Sequence, residues 1–208
     1  MRIKFTSAIL LVALMFSCKS ATTHQEADTT ATANYDVIPA PQMISKPSMN
    51  ANKPFVLTAN TKITYPKGDV DLERYAGFLK EYIQKQSGIA LNIVPDEGKP
   101  SNNIVLLQNY NNENKEGYQV SIDADHITIN GASKAGTFYG VQFLRKSIPV
   151  LKTKKIIFPA QQITDEPYFA YRGGHLDSAR HFFTADSIRI FIDMLALHNM
   201  NRFHWHLT

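Results

Sequence analysis

Apolar positions recur at two different periods along this chain, and the changes of period mark its elements. Between residues 35 and 66 the apolar runs are short: Val37-Ile38, Phe55-Val56-Leu57 and Ile63-Thr64-Tyr65. Pro39, Pro41, Pro47, Pro54 and Pro66 interrupt them and restrict them to short or edge strands. From 70 to 87 the spacing turns helical, with Leu72, Tyr75, Ala76, Leu79, Tyr82 and Ile83 on one face. Gly88 then supplies a left-handed C-cap. Short strands are expected at Ile89–Val94 and Ile104–Gln108. Tyr118, Val120 and Ile122, and then Ile127 and Ile129, alternate with polar residues around a hairpin turn at Asp123-Ala124-Asp125. Ser133 caps a second helix, Lys134–Ser147, whose Phe138, Val141 and Leu144 share a face and which Pro149 stops. Strands followed by a helix, twice over, predict an α+β layer with both helices on one sheet face.

The pattern then weakens. Residues 151–168 carry Gln161-Gln162, Thr164-Asp165-Glu166, Pro159 and Pro167, and are read as a linker closing a domain of residues 35–150. The last forty residues read as strand, helix, strand. Phe169–Leu176 is the first strand. Thr184 caps a helix carrying Ile188, Phe191, Ile192 and Leu195, and Asn201–Leu207 is the second strand. So short a connection between two strands predicts a parallel βαβ unit with a right-handed crossover. A lone unit of this kind cannot bury both faces of its own sheet.

Composition places the chain among folded proteins. Of 208 residues, 44% are hydrophobic and 19% charged, and the net charge is +4 without any run of five or more like charges. A dedicated nucleic-acid binder shows a clustered basic footprint, so that class is excluded. The N-terminus reads as an address. Arg2 and Lys4 precede an apolar stretch, Ile9 to Phe16, too short to span a bilayer, so residues 1–17 are expected to be an export signal. Cys18, the single cysteine, follows at once in a setting similar to the lipobox of bacterial lipoproteins, with Met15 where leucine usually stands. This predicts lipidation at Cys18, a membrane held through the lipid, and a place in the bacterial cell envelope facing the periplasm or the surface. Residues 18–34, rich in Ser, Thr and Ala, are expected to be a flexible tether.

Candidate chemistry gathers at the C-terminal end. Arg172, Asp177, Arg180 and His181 crowd the first strand and the loop after it, and His204 and His206 share one face of the second strand. The C-terminal ends of parallel strands are where α/β enzymes place their sites. An arginine fork suits vicinal hydroxyls or a carboxylate, although Arg172 reads equally as one half of a buried ion pair, with Asp177 as partner. A His-x-His strand can ligate a divalent metal, which would make this a metal-dependent hydrolase built on His204 and His206; hydrogen-bonded structural histidines are the plainer reading.

Two segments carry a family resemblance. Tyr171-Arg172-Gly173-Gly174-His175-Leu176-Asp177-Ser178-Ala179-Arg180-His181-Phe182 resembles the opening barrel strand of family 20 glycoside hydrolases, whose pattern is Arg-Gly, two residues, Leu-Asp, two residues, Arg-His. Asn199-Met200-Asn201-Arg202-Phe203-His204-Trp205-His206-Leu207-Thr208 resembles that family's second strand. The opening Ile38–Gln42 and the block to Ser147 are similar to the small α+β domain that precedes the barrel in bacterial members. The resemblance implies an α+β N-terminal domain followed by the first β-α-β unit of an incomplete (β/α)8 TIM barrel, beginning at residue 169. It implies a retaining exo-β-N-acetylhexosaminidase that removes terminal β-linked N-acetylglucosamine or N-acetylgalactosamine. The substrate's own 2-acetamido carbonyl is the nucleophile in that scheme, a Glu is the general acid and the Asp beside it orients the acetamido group. Arg172 would hydrogen-bond hydroxyls of the terminal sugar, with neither metal nor organic cofactor. The Asp-Glu pair falls beyond Thr208, so residues 1–208 alone are expected to be inactive. A non-catalytic carbohydrate-binding lipoprotein is the competing reading.

Overall fold

The computed structural model describes residues 29–46, 53–96 and 101–208. The expected signal, Cys18 and the first part of the tether lie outside the described residues. The chain order is β1 (Thr30–Thr32), β2 (Met43–Ser45), β3 (Phe55–Leu57), β4 (Lys62–Pro66), α1 (Val70–Ser87), β5 (Asn92–Asp96), β6 (Asn103–Leu107), β7 (Tyr118–Ile122) and β8 (His126–Gly131). Then follow α2 (Lys134–Ser147), β9 (Lys155–Phe158), β10 (Gln161–Asp165), β11 (Gly173–Asp177), α3 (Ala185–Leu197) and β12 (Arg202–His206). A mixed seven-stranded sheet has the order β2-β10-β7-β8-β6-β4-β5; a small sheet has β1-β9-β3; β11 and β12 form a separate parallel pair. None of the described helices is long and apolar enough to cross a membrane.

Both helices of the first unit start and stop where local chemistry directs. Asp69 caps α1 by accepting from the N–H groups of Asp71 and Leu72, and Gly88, at φ 84°, ends it. Ser133 caps α2 through the N–H of Ala135. The α1 and α2 stripes pack with the sheet into one core in which Leu72, Leu79, Ile83, Phe143, Ile104, Val120 and Ile129 are buried. Hairpin β7–β8 pairs Ile122 with Ile127 across the expected turn.

Four expectations are corrected. Residues 30–32 of the expected tether form β1, which lies parallel on β9, with Ala31 buried. Ala33 N–H continues the pairing to the Ile157 carbonyl at 2.8 Å. Nothing in a Thr-Ala-Thr run signals this, because the partner strand that satisfies its backbone lies more than 120 residues away. The expected linker contains β9, whose Ile156 and Phe158 are fully buried, and β10, which sits inside the large sheet between β2 and β7. Ile163 alone of β10 is buried, so its polar neighbours Gln162 and Thr164 hid a strand. Val37-Ile38 is not a strand, and the first terminal strand begins at Gly173 rather than Phe169.

Lys146, in the last turn of α2, makes one fold-level prediction. Burial, with Arg145 nearby, brings its ammonium down to about 8, against the opposing pull of Asp165. A lowered base means that the unfolded chain holds more protons between that value and about 10.4, so stability rises with pH across this window. Lys146→Met is therefore expected to raise the melting temperature at pH 7. The gain over wild type should shrink as pH climbs from about 8 toward 10.4, measured as paired melting curves. A gain independent of pH would show that packing rather than charge burial is responsible.

Candidate functional site

The polar residues of the β11–α3–β12 unit divide between the two ends of its strands. Arg172 precedes β11 and Asp177 closes it, so about 16 Å of strand separates them. They do not pair, against the expectation. Arg172 instead reaches the α+β unit. Its Nη1 and Nη2 donate to the two oxygens of Glu116 at 3.0 and 3.2 Å, Nη2 also to the Tyr139 hydroxyl at 3.0 Å, Nη1 to the Phe169 carbonyl at 2.6 Å, and Nε to the Asn199 carbonyl at 2.7 Å. All five guanidinium donors are thereby engaged. Glu116 Oε1 additionally accepts from Tyr139 Oη at 3.0 Å and from Asn201 Nδ2 at 3.2 Å.

Glu116 is held for this task by its loop. Asn112 and Asn114 close successive turns by accepting from the N–H groups of Asn114 and Glu116. Gly117 lies against the first turn of α2 so closely that a Cβ on Gly136 would sit 2.2 Å from the Gly117 carbonyl oxygen. Burial alone would push the Glu116 carboxyl up, but hydrogen bonds from Arg172, Asn201 and Tyr139 outweigh it and hold the group below the usual carboxylate value. Burial and the Glu116 charge push Tyr139 up to about 12. A second ion pair, Arg145 to Asp193 at 2.7 Å, ties α2 to α3. Beside Arg172 lies a cavity of about 410 Å³ walled by Tyr118, Tyr139, Asp165, Phe169 and Asn199, a size that suits a small polar ligand. Asn199 takes φ 56°, and its buried Oδ1 has no hydrogen-bond partner among the described residues.

The other group lies along the ribbon itself. The parallel register sets His175 beside His204 and Asp177 beside His206. The expected His204/His206 pair does share a face, and His175 and Asp177 join it there. His206 Nδ1 lies 3.2 Å from Asp177 Oδ1. Asp177 is held below the usual value first by the backbone N–H of Arg180 and also by that of Ala179 and by His206. Arg180 and His181 are exposed. Sequence reasoning passed over Glu116, Tyr139, Asn199 and Asn201. Glu116 sits in a run of charged and amide residues that reads as solvated loop, and no periodic signal distinguishes it.

A family model described as glycosyl hydrolase family 20, domain 2, matches residues 34–166. The chain belongs to glycosyl hydrolase family 20. The model of that family's catalytic domain matches residues 169–208, the segment that holds Arg172 and the histidines. Among curated relatives, a beta-hexosaminidase of Porphyromonas gingivalis is 29% identical over all of this chain and 27% of its own length. A beta-N-acetylhexosaminidase of Cellulomonas fimi is 30% identical over 83% of this chain and 34% of its own length. The solved family 20 beta-N-acetylhexosaminidase of Streptomyces coelicolor is similar over 84% of this chain and 35% of its own, with TM-score 0.73 and 27% identity. The family 20 chain described here thus spans about a third of the length of these relatives.

Proposed function

We propose that this chain is the N-terminal part of a retaining exo-β-N-acetylhexosaminidase that hydrolyses terminal β-linked N-acetylglucosamine or N-acetylgalactosamine from glycans by substrate-assisted catalysis. The observation that carries the reading is the parallel β11–α3–β12 unit, which bears both family motifs in order directly after the α+β domain. In this reading the unit is the first β-α-β of a (β/α)8 barrel. Its exposed apolar side chains, Phe182, Ile190, Leu207 and Trp205 among them, support that, since further barrel elements would cover such surface. A relative supplies the substrate class: the Streptomyces plicatus beta-hexosaminidase was solved with N-acetylglucosamine as product.

The resemblance assigns Arg172 to hydroxyls of the terminal sugar. Arg172 lies at the N-terminal end of β11 with every donor engaged by Glu116, Tyr139 and the Phe169 and Asn199 carbonyls, so its geometry is that of a buried ion pair and lends this role no support. The protein carrying the chain is read as a cell-envelope lipoprotein acylated at Cys18. Radiolabelled palmitate should enter the wild type and not Cys18→Ser.

The test of the activity is release of p-nitrophenol from p-nitrophenyl N-acetyl-β-glucosaminide by the whole gene product that carries residues 1–208. Release with retained anomeric configuration and in the presence of chelator is expected. Residues 1–208 alone should be about 10²–10⁴-fold slower or worse, because the general acid is not among them. A folded gene product that leaves the substrate intact, or one that chelator inactivates, overturns the reading. The second outcome would favour a metal-dependent hydrolase.

A further inference from the structure

The α+β unit carries an apolar tip that its own core does not use. Just beyond α2, the Leu151 N–H closes on the Pro149 carbonyl at 3.0 Å, a three-residue turn with Val150 at its point. Val150 is 82% exposed and Leu151 51%. The turn is held from beneath. Thr153 N–H donates to the Ser87 carbonyl at the end of α1 at 2.9 Å, and Lys152 Nζ donates to the Lys85 carbonyl at 3.2 Å. These bonds run to α1 and not to β11–α3–β12, which docks on the α+β unit through Glu116, Tyr139 and Arg145. The turn also falls inside residues 34–166, the span of the family's domain 2, and not in the catalytic-domain segment.

Charge and tether meet at the same place. Lys85, Lys152 and Lys154 are exposed around the turn, and Lys155 is half-buried beside them. No salt bridge to a described carboxylate neutralises any of the four. Glu81, one helical turn before Lys85, is the single carboxylate in the shallow depression that Lys85, Gly88 and Lys152 line. Thr29, the first described residue, bonds this loop directly. Its Oγ1 donates to the Lys152 carbonyl at 3.2 Å, and its own carbonyl accepts from Thr153 Oγ1. Thr29 stands eleven residues after Cys18, so the two lie no more than about 40 Å apart.

We propose that the α2–β9 turn, with Val150 and Leu151 at its tip and Lys85, Lys152, Lys154 and Lys155 around them, docks on the anionic phospholipid surface of the membrane. The inference rests on the reading of Cys18 as acylated, since the acyl chain is what brings a bilayer within reach of Thr29. Val150 and Leu151 enter the boundary between headgroups and acyl chains, and the lysines meet the headgroup phosphates. The occupant is a bilayer and not a folded partner: two apolar side chains among long lysines fall far short of the roughly 800 Å² that each side of a stable protein interface buries. A short tether keeps the turn at an effective concentration of about a millimolar, so a contact that is weak by itself persists. The contact fixes which side of the domain faces the membrane.

The test uses the whole gene product from residue 19 onward, which has no acyl chain, and vesicles of equal phosphatidylglycerol and phosphatidylcholine. Flotation is expected to carry the protein with these vesicles at about 0.01 M salt and not at about 0.5 M, where the charges are screened. Vesicles of phosphatidylcholine alone should leave it behind. Lys85→Glu with Lys154→Glu should weaken binding about tenfold or more, and Val150→Asp with Leu151→Asp should do the same. Lys53→Glu with Lys115→Glu changes the net charge equally elsewhere on the domain and should leave binding unchanged. All six substituted residues are exposed, and far-UV circular dichroism checks each variant for folding. If one patch variant unfolds, the other decides. No flotation of the folded protein, or flotation that the folded patch variants retain, overturns the proposal. Palmitate labelling tests the acylation reading separately: a protein that takes no palmitate yet floats through these residues loses its anchor and keeps its docking surface.

Discussion

Arg172→Ala is expected to lower the stability of the chain by about 3–5 kcal/mol, because it strands the Glu116 carboxylate in a site built for a cation. The Arg172 and Glu116 side chains are only 15% and 24% exposed, so water cannot replace the lost partner freely. After the substitution Glu116 retains Tyr139 and Asn201, two neutral donors for a full negative charge. The carbonyls of Phe169 and Asn199 lose their partner as well. Urea unfolding measures the loss. Glu116→Leu together with Arg172→Met should recover much of it, since neither charge is then left behind. The acid dependence checks the same point. The folded Glu116 value lies below the unfolded one, so the pair contributes fully above about pH 4.3 and is lost as pH falls through the folded value. Wild type should lose this increment on acidification, and Arg172→Ala, which never had it, should show a shallower decline. Equal acid slopes in the two proteins would mean that the pair contributes nothing.

Phe143→Ala is expected to cost a similar 3–5 kcal/mol, through a cavity rather than a charge. Phe143 is 1% exposed, and its ring lies 6.1 Å from Tyr35 and 6.4 Å from Tyr118. It therefore joins α2 to β7 and to the segment after β1. Neighbours on a helix and a sheet cannot collapse fully into the space, so the loss should lie near the top of the range for aromatic truncation. Phe143→Leu, which keeps most of the volume, should cost well under half as much. If the two variants unfold at the same urea concentration, the ring is not close-packed. The two predictions separate cleanly. The Arg172 effect depends on pH, and the Phe143 effect does not.

The elements that came directly from the sequence are those whose stabilising groups lie within a few residues of one another. α1 and α2 carry their apolar stripes, their caps and their stops locally, so Gly88, Ser133 and Pro149 place the ends almost to the residue. The β7–β8 hairpin is local for the same reason, and so is the order of β11, α3 and β12, where Thr184 caps the helix through the Ser187 N–H. The two motif segments also lie on contiguous strands, so the family reading needed no tertiary information. β1 and β10 were illegible because a strand with one inward apolar residue, such as Ala31 or Ile163, becomes a strand only when distant partners satisfy its backbone. Arg172 was legible as a donor fork, but its partner was not. Glu116 stands 56 residues away in a loop without periodicity, and only the docking of the βαβ unit on the α+β unit brings the two charges together. The same holds for His175, Asp177 and His206. Alternation alone puts each on a face of its own strand, but the parallel register of β11 and β12, a matter of hydrogen bonding between strands 25 residues apart in sequence, makes the three a cluster.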